Sequence, residues 1–540
     1  MYQKYSYLLF LLVSVMSLQA QQTVGVFLNE ERAFNGYTLF SNNTDTYLID
    51  NCGFVVNTWE SSYRPGQSVY LLENGNLLRT AMLNGNFSSG GAGGLIELFS
   101  WEGELLWSYR IAGNDFQAHH DIAPMPNGNF LVLVWERRNQ ATAQMAGREE
   151  AGEIWSECIL ELEILDNNEA KIVWEWRLWD HLVQDKFSNR DNFGTVKNNP
   201  QLVNINFLPN NQFSGGDLVH LNAIDYNAAL DQIVVSSRNF SEIWIIDHST
   251  TSAEAATHSG GRYGKGGDLL YRYGNPAAYE QASVLDQVFF HQHDVRWIPA
   301  GYPHEGKLII FNNDAEPNRS RIEIWSPALD ENGDYLIVDN SFPEVARDWD
   351  YTALGLYSSR ISGAEMLPNG NVLICEGRSG EFWEVSPDKE RVWKYINPVN
   401  KNGRAVSQGG EARFNDTFRA TRYAPDYPAF NGKDLSPTVP VEINPWELDC
   451  MIHETNVATK STFDSGIEIL ANPIQNLLLV ETEKYDVSLQ VFDLLGRKLL
   501  ETPLQIGLNQ VDVSALPKGV NIAVFTKNGK ILSSEKFNKF

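Results

Sequence analysis

A chain of 540 residues, 43% hydrophobic and 12% aromatic, has room for one large β domain and an accessory domain. Its 68 acidic residues against 42 basic ones leave a formal net charge of -26, which excludes nucleic acid as a partner because phosphate binding needs a cationic surface. The acidity reads as solubility, so an anionic substrate would have to meet a local positive site.

The first residues, MYQKYSYLLFLLVSVMSLQAQQ, read as a signal peptide over 1–20: Lys4, an apolar run from Tyr7 to Met16, and a small residue at Ala20. That run is too short to cross a bilayer, and no other segment is long and apolar enough, so no membrane span is expected. Residues 25–455 then read as repeats of one unit. YTLFSNNTDTYLIDNCGFVVNTWE is an outer hairpin with no inner hairpin before it. Gln67 opens QSVYLLENGNLL, His120 opens HDIAPMPNGNFL, His220 opens HLNAIDYNAALDQIVVSSR, His293 opens HDVRWIPAGYPHEGKLIIF and Ser362 opens SGAEMLPNGNVLI. Three of these five turn on Asn-Gly-Asn, which suits a tight hairpin. Each is followed by an outer hairpin, several ending in Trp-x-Trp or Trp-x-Tyr, as in LIELFSWEGELLWSYRI and EFWEVSPDKERVWKYINP.

Alternation at period two excludes a helical solenoid, and repeated four-stranded units predict an all-β fold, a six-bladed β-propeller. FRATRYAPDYPAF, Phe418 to Phe430, is an inner strand with no outer hairpin after it, so N- and C-terminal strands together would close the sixth blade. A Cys52–Cys450 disulfide would staple that closure. Cys158 and Cys375 sit in apolar strand patterns and read as buried thiols, and no CxxC spacing suggests a zinc knuckle. Residues 461–540 change texture and predict a small C-terminal β-sandwich.

In a propeller the first strand of each blade lines the central channel and begins at one mouth. His120, His220 and His293 hold that position in three blades, with Gln67 and Ser362 in the same slot elsewhere. Three of only ten histidines at one repeat position point to chemistry, since imidazole offers a neutral nucleophile and a proton carrier near neutral pH. Arg238 ends the strand that follows the His220 strand, which should return it beside His220 and Asn222 as an anion clamp; its alternative partners would be Asp225 or Asp294. His119 should face blade packing but is kept as a substrate-binding candidate with Asn222. His291 stands near His293. Asp121 and Asp294 would orient an imidazole or, more readily, cap a turn. WDHLVQD, Trp179 to Asp185, lies in a long insertion read as a lid, with His181 as a candidate substrate contact. GGRYGKGGD lacks the Lys-Ser/Thr of a phosphate loop and reads as surface. Metal binding by the three histidines competes with anion binding, and Arg238 argues against it.

HHDIAPMPNGNFLVL, DLVHLNAIDYNAALDQIVVSSRNFSEIWIID and QHDVRWIP resemble the bacterial aryl-sulfate sulfotransferase family, over roughly residues 37 to 430. The NP, D-x-x-GR and L-P-x-G motifs of the last 75 or so residues resemble the sorting domain read by type IX secretion. The first resemblance implies a secreted enzyme that moves a sulfuryl group from a phenolic sulfate ester to a phenol, ping-pong, with no nucleotide donor and no cofactor. It implies that His293 is transiently sulfated, flanked by His120 and His220, with Arg238 as the family's arginine and Asn222 as a polar neighbour. A protonated His120 or His220 would stabilise the oxygens. The expanded turn PAGYPHEGK, the absence of a separate N-terminal β domain and the added sorting domain depart from the pattern. The second resemblance implies the secretion machinery as partner and a secreted or surface location. A metal-dependent hydrolase or lyase, and a binding propeller without turnover, are the competing classes.

Overall fold

The structure, a computed structural model, describes residues 22–208, 216–446, 450–453, 467–469, 476–482, 484–493, 497–527 and 530–539. The signal-peptide reading of 1–20 lies outside them.

The chain is all-β, and its large N-terminal part is built of antiparallel sheets apart from one short parallel pair, Leu182–Val183 with Val203–Asn204. Sheet I holds Tyr37–Asn42, Asp45–Ile49 and Val55–Glu60, with Ala420–Tyr423 as its first strand. Sheet II runs Pro65–Leu71, Leu77–Met82, Gly94–Phe99, Leu105–Arg110. Sheet III runs Phe116–Pro124, Phe130–Arg138, Ile154–Ile164, Ala170–Arg177. Sheet IV runs Leu221–Asn227, Gln232–Ser237, Glu242–Asp247, Leu269–Tyr273. Sheet V runs His293–Trp297, Leu308–Glu316, Arg319–Trp325, Arg347–Tyr351. Sheet VI runs Gly363–Met366, Val372–Glu376, Glu381–Val385, Arg391–Ile396, and gains a fifth strand, Gly25–Asn29, that the sequence reading did not anticipate. The segment around Phe418 does supply the first strand of sheet I, with Tyr37 opposite Tyr423.

The Asn-Gly-Asn turns form for a local reason. The first Asn side chain accepts the backbone N–H of the second, Asn76 to Asn74 at 3.0 Å, Asn129 to Asn127 at 3.0 Å and Asn371 to Asn369 at 3.1 Å. Between them Gly75, Gly128 and Gly370 take φ near +88°, which a side chain would strain.

Two devices stitch each sheet to the next. On the outside, ring groups of the fourth strands reach the neighbouring sheet. Trp59 Nε1 donates to Ser100 O, Trp107 to Glu169 O, Trp349 to Pro387 O and Trp393 to Asn51 O, while Trp174 Nε1 donates to Thr250 Oγ1 and the Tyr273 hydroxyl to Val345 O. That explains the repeated Trp-x-Trp and Trp-x-Tyr endings. On the inside, an acid of one first strand accepts a backbone N–H of the next: Asp121 from Ile224, Asp225 from Trp297, Asp294 from Ala364, and Glu365 from Arg422.

Cys52 and Cys450 form a disulfide, and Cys158 and Cys375 are buried thiols. Beyond them, Ile467–Ile469, Leu477–Thr482 and Gly507–Asp512 form one small sheet. Val487–Phe492, Lys498–Leu504, Gly519–Lys527 and Lys530–Lys539 form another. Their inward side chains, among them Leu478, Val480, Leu489 and Phe525, share a core of their own. No helix among the described residues is long and apolar enough to cross a membrane.

Candidate active site

The three repeat histidines meet. His120 and His220 sit with ring centroids 4.6 Å apart, edge to face. His293 is close enough that its charge would depress His120, and the charge of His220 would depress His293. The backbone explains the convergence. The first hairpins of sheets III, IV and V each carry a register shift, next to His120, His220 and His293 respectively. His120 and His220 take positive φ, +47° and +53°. A bulge with a left-handed residue re-aims side chains, so strict alternation fails where the site is built.

Each ring is oriented from behind. His293 Nδ1 lies 2.8 Å from Asn313 Oδ1 and 3.0 Å from the His291 carbonyl. The Asn313 amide nitrogen donates to the carbonyls of Ser358 and Ile361, which fixes its oxygen toward His293. Both partners accept only, so Nδ1 carries the proton and Nε2 the lone pair. That lone pair receives the backbone N–H of Ile361 at 3.1 Å. Ile361 holds φ +52°, strained for a β-branched residue.

His120 Nδ1 meets His119 Nδ1 at 2.9 Å, and His119 Nε2 meets Glu157 Oε2 at 2.8 Å. Glu157 Oε1 accepts the N–H of Leu221, which ties this relay to the strand of His220. Burial pushes the Glu157 carboxyl up, against the pull of His119. His220 Nδ1 is hydrogen-bonded to Asp217 Oδ2. Burial opposes ionisation of Asp217, but the His220 ring outweighs it and holds the carboxyl below the usual range. Burial first, then nearby rings and Arg238, hold His120 well below the usual histidine value. Burial and then Arg238 do the same to His293. Both are therefore neutral at pH 7, which corrects the expectation of a protonated His120.

Arg238 returns beside His220 as expected, its N–H donating to the His220 carbonyl at 3.1 Å. Neither Asp225 nor Asp294 pairs with it, and among the described residues no carboxylate lies within ion-pair distance of its guanidinium. Burial lowers its pKa, with Asp314 and Asp217 pulling the other way. The local positive site that the acidic chain needs is this cation beside the neutral rings of His120 and His293.

Other expected residues take different places. His119 is fully buried, stacked on Trp135 at 4.1 Å, with both nitrogens engaged; it supports His120 rather than facing a ligand. Asn222 is buried and donates to Gln292 O at 2.8 Å, bracing the strand entry of His293; its Oδ1 has no protein partner. His181 is not with the three: it is buried between Asp268 and the Ala255 carbonyl. His291 is half exposed and pairs with Asp314. Asp121 and Asp294 neither cap turns nor orient the histidines. Both grip Arg419, each at 2.7 Å, and Asp294 also holds Arg296, which reaches Glu365. Tyr70 joins the same guanidinium at 2.7 Å. Arg419, just before the first strand of sheet I, thus gathers groups from the first strands of sheets II, III, V and VI into one charged knot.

The segment lying on the histidines is 83–93, LNGNFSSGGAG, which the sequence reading passed over. Gly91 O accepts the His120 N–H at 2.8 Å, Ser89 Oγ lies 3.5 Å from His220 Nδ1, and Phe87 packs on Trp135 and Trp155. A Cβ on Gly91, at φ +82°, would fall 2.1 Å from the His120 ring. The glycine cluster Gly90, Gly91, Gly93 and Gly94, directly before LIELFSWEGELLWSYRI, was the available signal. Among the described residues, the three-ligand group with atoms within 4.8 Å of one another is His181, His258 and Asp268; the three repeat histidines do not make such a group.

The family model described as arylsulfotransferase (ASST) matches residues 28–409, and that of the secretion system C-terminal sorting domain matches 468–538. No curated protein matches the chain. Among solved structures, a protein of unknown function from Bacteroides caccae is 12% identical with a TM-score of 0.37, covering 72% of this chain and 99% of its own. The periplasmic gluconolactonase of Pseudomonas aeruginosa is 8% identical, TM-score 0.33, over 72% and 99%. A catalytically inactive virginiamycin B lyase from Staphylococcus aureus, with quinupristin, is 10% identical, TM-score 0.32, over 72% and 88%.

Proposed function

This chain belongs to the arylsulfotransferase (ASST) family and carries a sorting domain that marks it for export, and from that premise we propose that it moves a sulfuryl group from an aryl sulfate to a phenol through a sulfated His293. The observation that carries the reading is a buried, neutral His293 whose Nε2 takes only the backbone N–H of Ile361, with the Arg238 charge near enough to lower its pKa further. The same proposal takes sheets I to VI as blades of one six-bladed ring spanning residues 25–455, with 461–540 as the sorting domain.

In the first half-reaction the Nε2 lone pair attacks sulfur, leaving the Ile361 N–H free to donate to a sulfuryl oxygen. The S–O bond to the aryl group breaks and the phenolate departs with its electron pair. Arg238 stabilises the equatorial oxygens, a preorganised charge in a dry site. His220, backed by Asp217, passes a proton to the phenolate and later takes one from the incoming phenol. Nδ1–H of the sulfated ring stays on Asn313 and His291 O, which favours the positive charge that the ring acquires. The second half-reaction reverses these steps onto the acceptor, and His293 is regenerated. No nucleotide and no metal is required by any step.

The test is release of p-nitrophenol from p-nitrophenyl sulfate with and without a second phenol. Acceptor-dependent turnover and a single sulfuryl adduct located on His293 are expected, both lost in His293→Ala. Full turnover in that variant would refute the covalent route; turnover to free sulfate without acceptor would make the enzyme a sulfatase.

A further inference from the structure

We propose that His181, His258 and Asp268 form a site for one divalent transition-metal ion of the zinc class, separate from the repeat histidines. Three excursions of the chain meet here: the insertion after sheet III, the helical turn Ser252–Ala255 with the residues after it, and the glycine-rich loop that ends at Asp268.

The proton count carries the inference. His181 is 0% exposed. Its Nε2 lies 2.8 Å from the Ala255 carbonyl, which only accepts, so Nε2 carries the proton. In the neutral ring the Nδ1 lone pair then faces Asp268 Oδ1 at 2.9 Å. Two acceptors opposed in a buried place need a positive charge between them. His258 Nδ1 adds a third ligand atom 2.7 Å from the same oxygen, and the three ligand atoms lie within 4.8 Å of one another. Tetrahedral zinc, with bonds of about 2.0–2.2 Å, sets such atoms about 3.4 Å apart, so a shift of under about 1 Å seats the ion.

The surroundings have the form of a metal site. A ligating histidine that donates its other N–H to a backbone carbonyl is held in one tautomer and one orientation. His181 is further aligned by Trp176, with the rings 3° from parallel, while Trp176 Nε1 donates to Gly267 O. A Cβ on Gly267 would fall 2.5 Å from His181 Nε2 and 2.0 Å from Ala255 O, so the loop closes on the ring only as glycine. The His258 side chain is 61% exposed, which leaves an open side for entry and for water as fourth ligand. Two imidazoles and one carboxylate suit zinc over calcium or magnesium. The bound ion would clasp the insertion, whose far end carries Asp217, to the outer edge of sheet IV.

The experiment uses the full chain, stripped with chelator and dialysed, then titrated with zinc and, for its visible spectrum, with cobalt. One equivalent should bind, cobalt should give the intense bands of a tetrahedral site, and the unfolding temperature should rise with the logarithm of free zinc. His258→Ala, a change at an exposed ring, should weaken zinc binding at least tenfold, as should Asp268→Asn. His293→Ala should keep the full equivalent. The proposal is overturned if the stripped chain takes up no zinc and His181 is instead found doubly protonated by NMR, or if the equivalent persists in both His258→Ala and Asp268→Asn, or if it vanishes in His293→Ala.

Discussion

Asn313 decides which nitrogen of His293 carries the lone pair, and its own amide is fixed by two carbonyls in the adjoining 358–361 segment. In the proposed mechanism Arg238 meets the growing sulfuryl charge. Arg238→Gln keeps hydrogen-bonding capacity but removes the charge, and should lower kcat by roughly 10²–10³, the effect of losing one oxyanion donor. Single-turnover formation of the sulfated enzyme would measure it. The pH dependence follows from burial. His293 must be neutral to attack, and its pKa is held well below the ordinary value of 6.5. The rate should therefore stay level as pH falls through 6.5 and decline only in more acid solution. A kcat/KM profile with its acid limb at or above 6.5 would contradict the buried, neutral ring. At this scale the sequence was most readable where a residue type recurs at one slot, as His120, His220 and His293 do. Glu157 and Asp217 went unread for different reasons: Glu157 reaches His119 from two strands away in sheet III, while Asp217 stands three residues before His220 but outside the repeated pattern.

The 83–93 segment shows how an element without regular structure is held by a single residue's shape. Gly91→Ala would drive a methyl into the His120 ring at a backbone angle that alanine resists. Turnover should fall at least about tenfold, and stability by more than about 1 kcal/mol. Gly90→Ala is the control: its Cβ meets nothing within 4 Å, and both activity and melting should be unchanged. Equal effects of the two changes would mean that the segment does not bear on His120. Hairpins led by Asn-Gly-Asn were legible because their chemistry is local. The fifth strand of sheet VI, Gly25–Asn29, was not, since its only argument is a partner edge some 370 residues away, Gly25 opposite Ile396. The acids at Asp121 and Asp294 were visible but misassigned: beside a histidine a carboxylate suggests an orienting partner, whereas the bulge turns it to the opposite side, toward Arg419. His181 was misplaced because an insertion between repeats was equated with a cover, while this one folds outward against Asp268.

Over the whole molecule, strand and disulfide bring the two ends of the repeat region together. Ala420–Tyr423 pairs with Tyr37–Asn42, and Cys52–Cys450 links residues 398 apart in sequence. Cys52→Ser should destabilise by roughly 2–4 kcal/mol through a freer unfolded chain. Wild type in reductant should melt with the variant, and a variant that melts with oxidised wild type would show the link to be silent. The knot of Arg419, Asp121, Asp294 and Arg296 has a different consequence. On the proposed ring, those interlocked side chains bar the axis and make it no corridor but a room with one doorway. By the proposed mechanism a released phenol would leave along the route by which the next one arrives, so donor and acceptor would queue for a single threshold, and a crowd of either would keep the other outside.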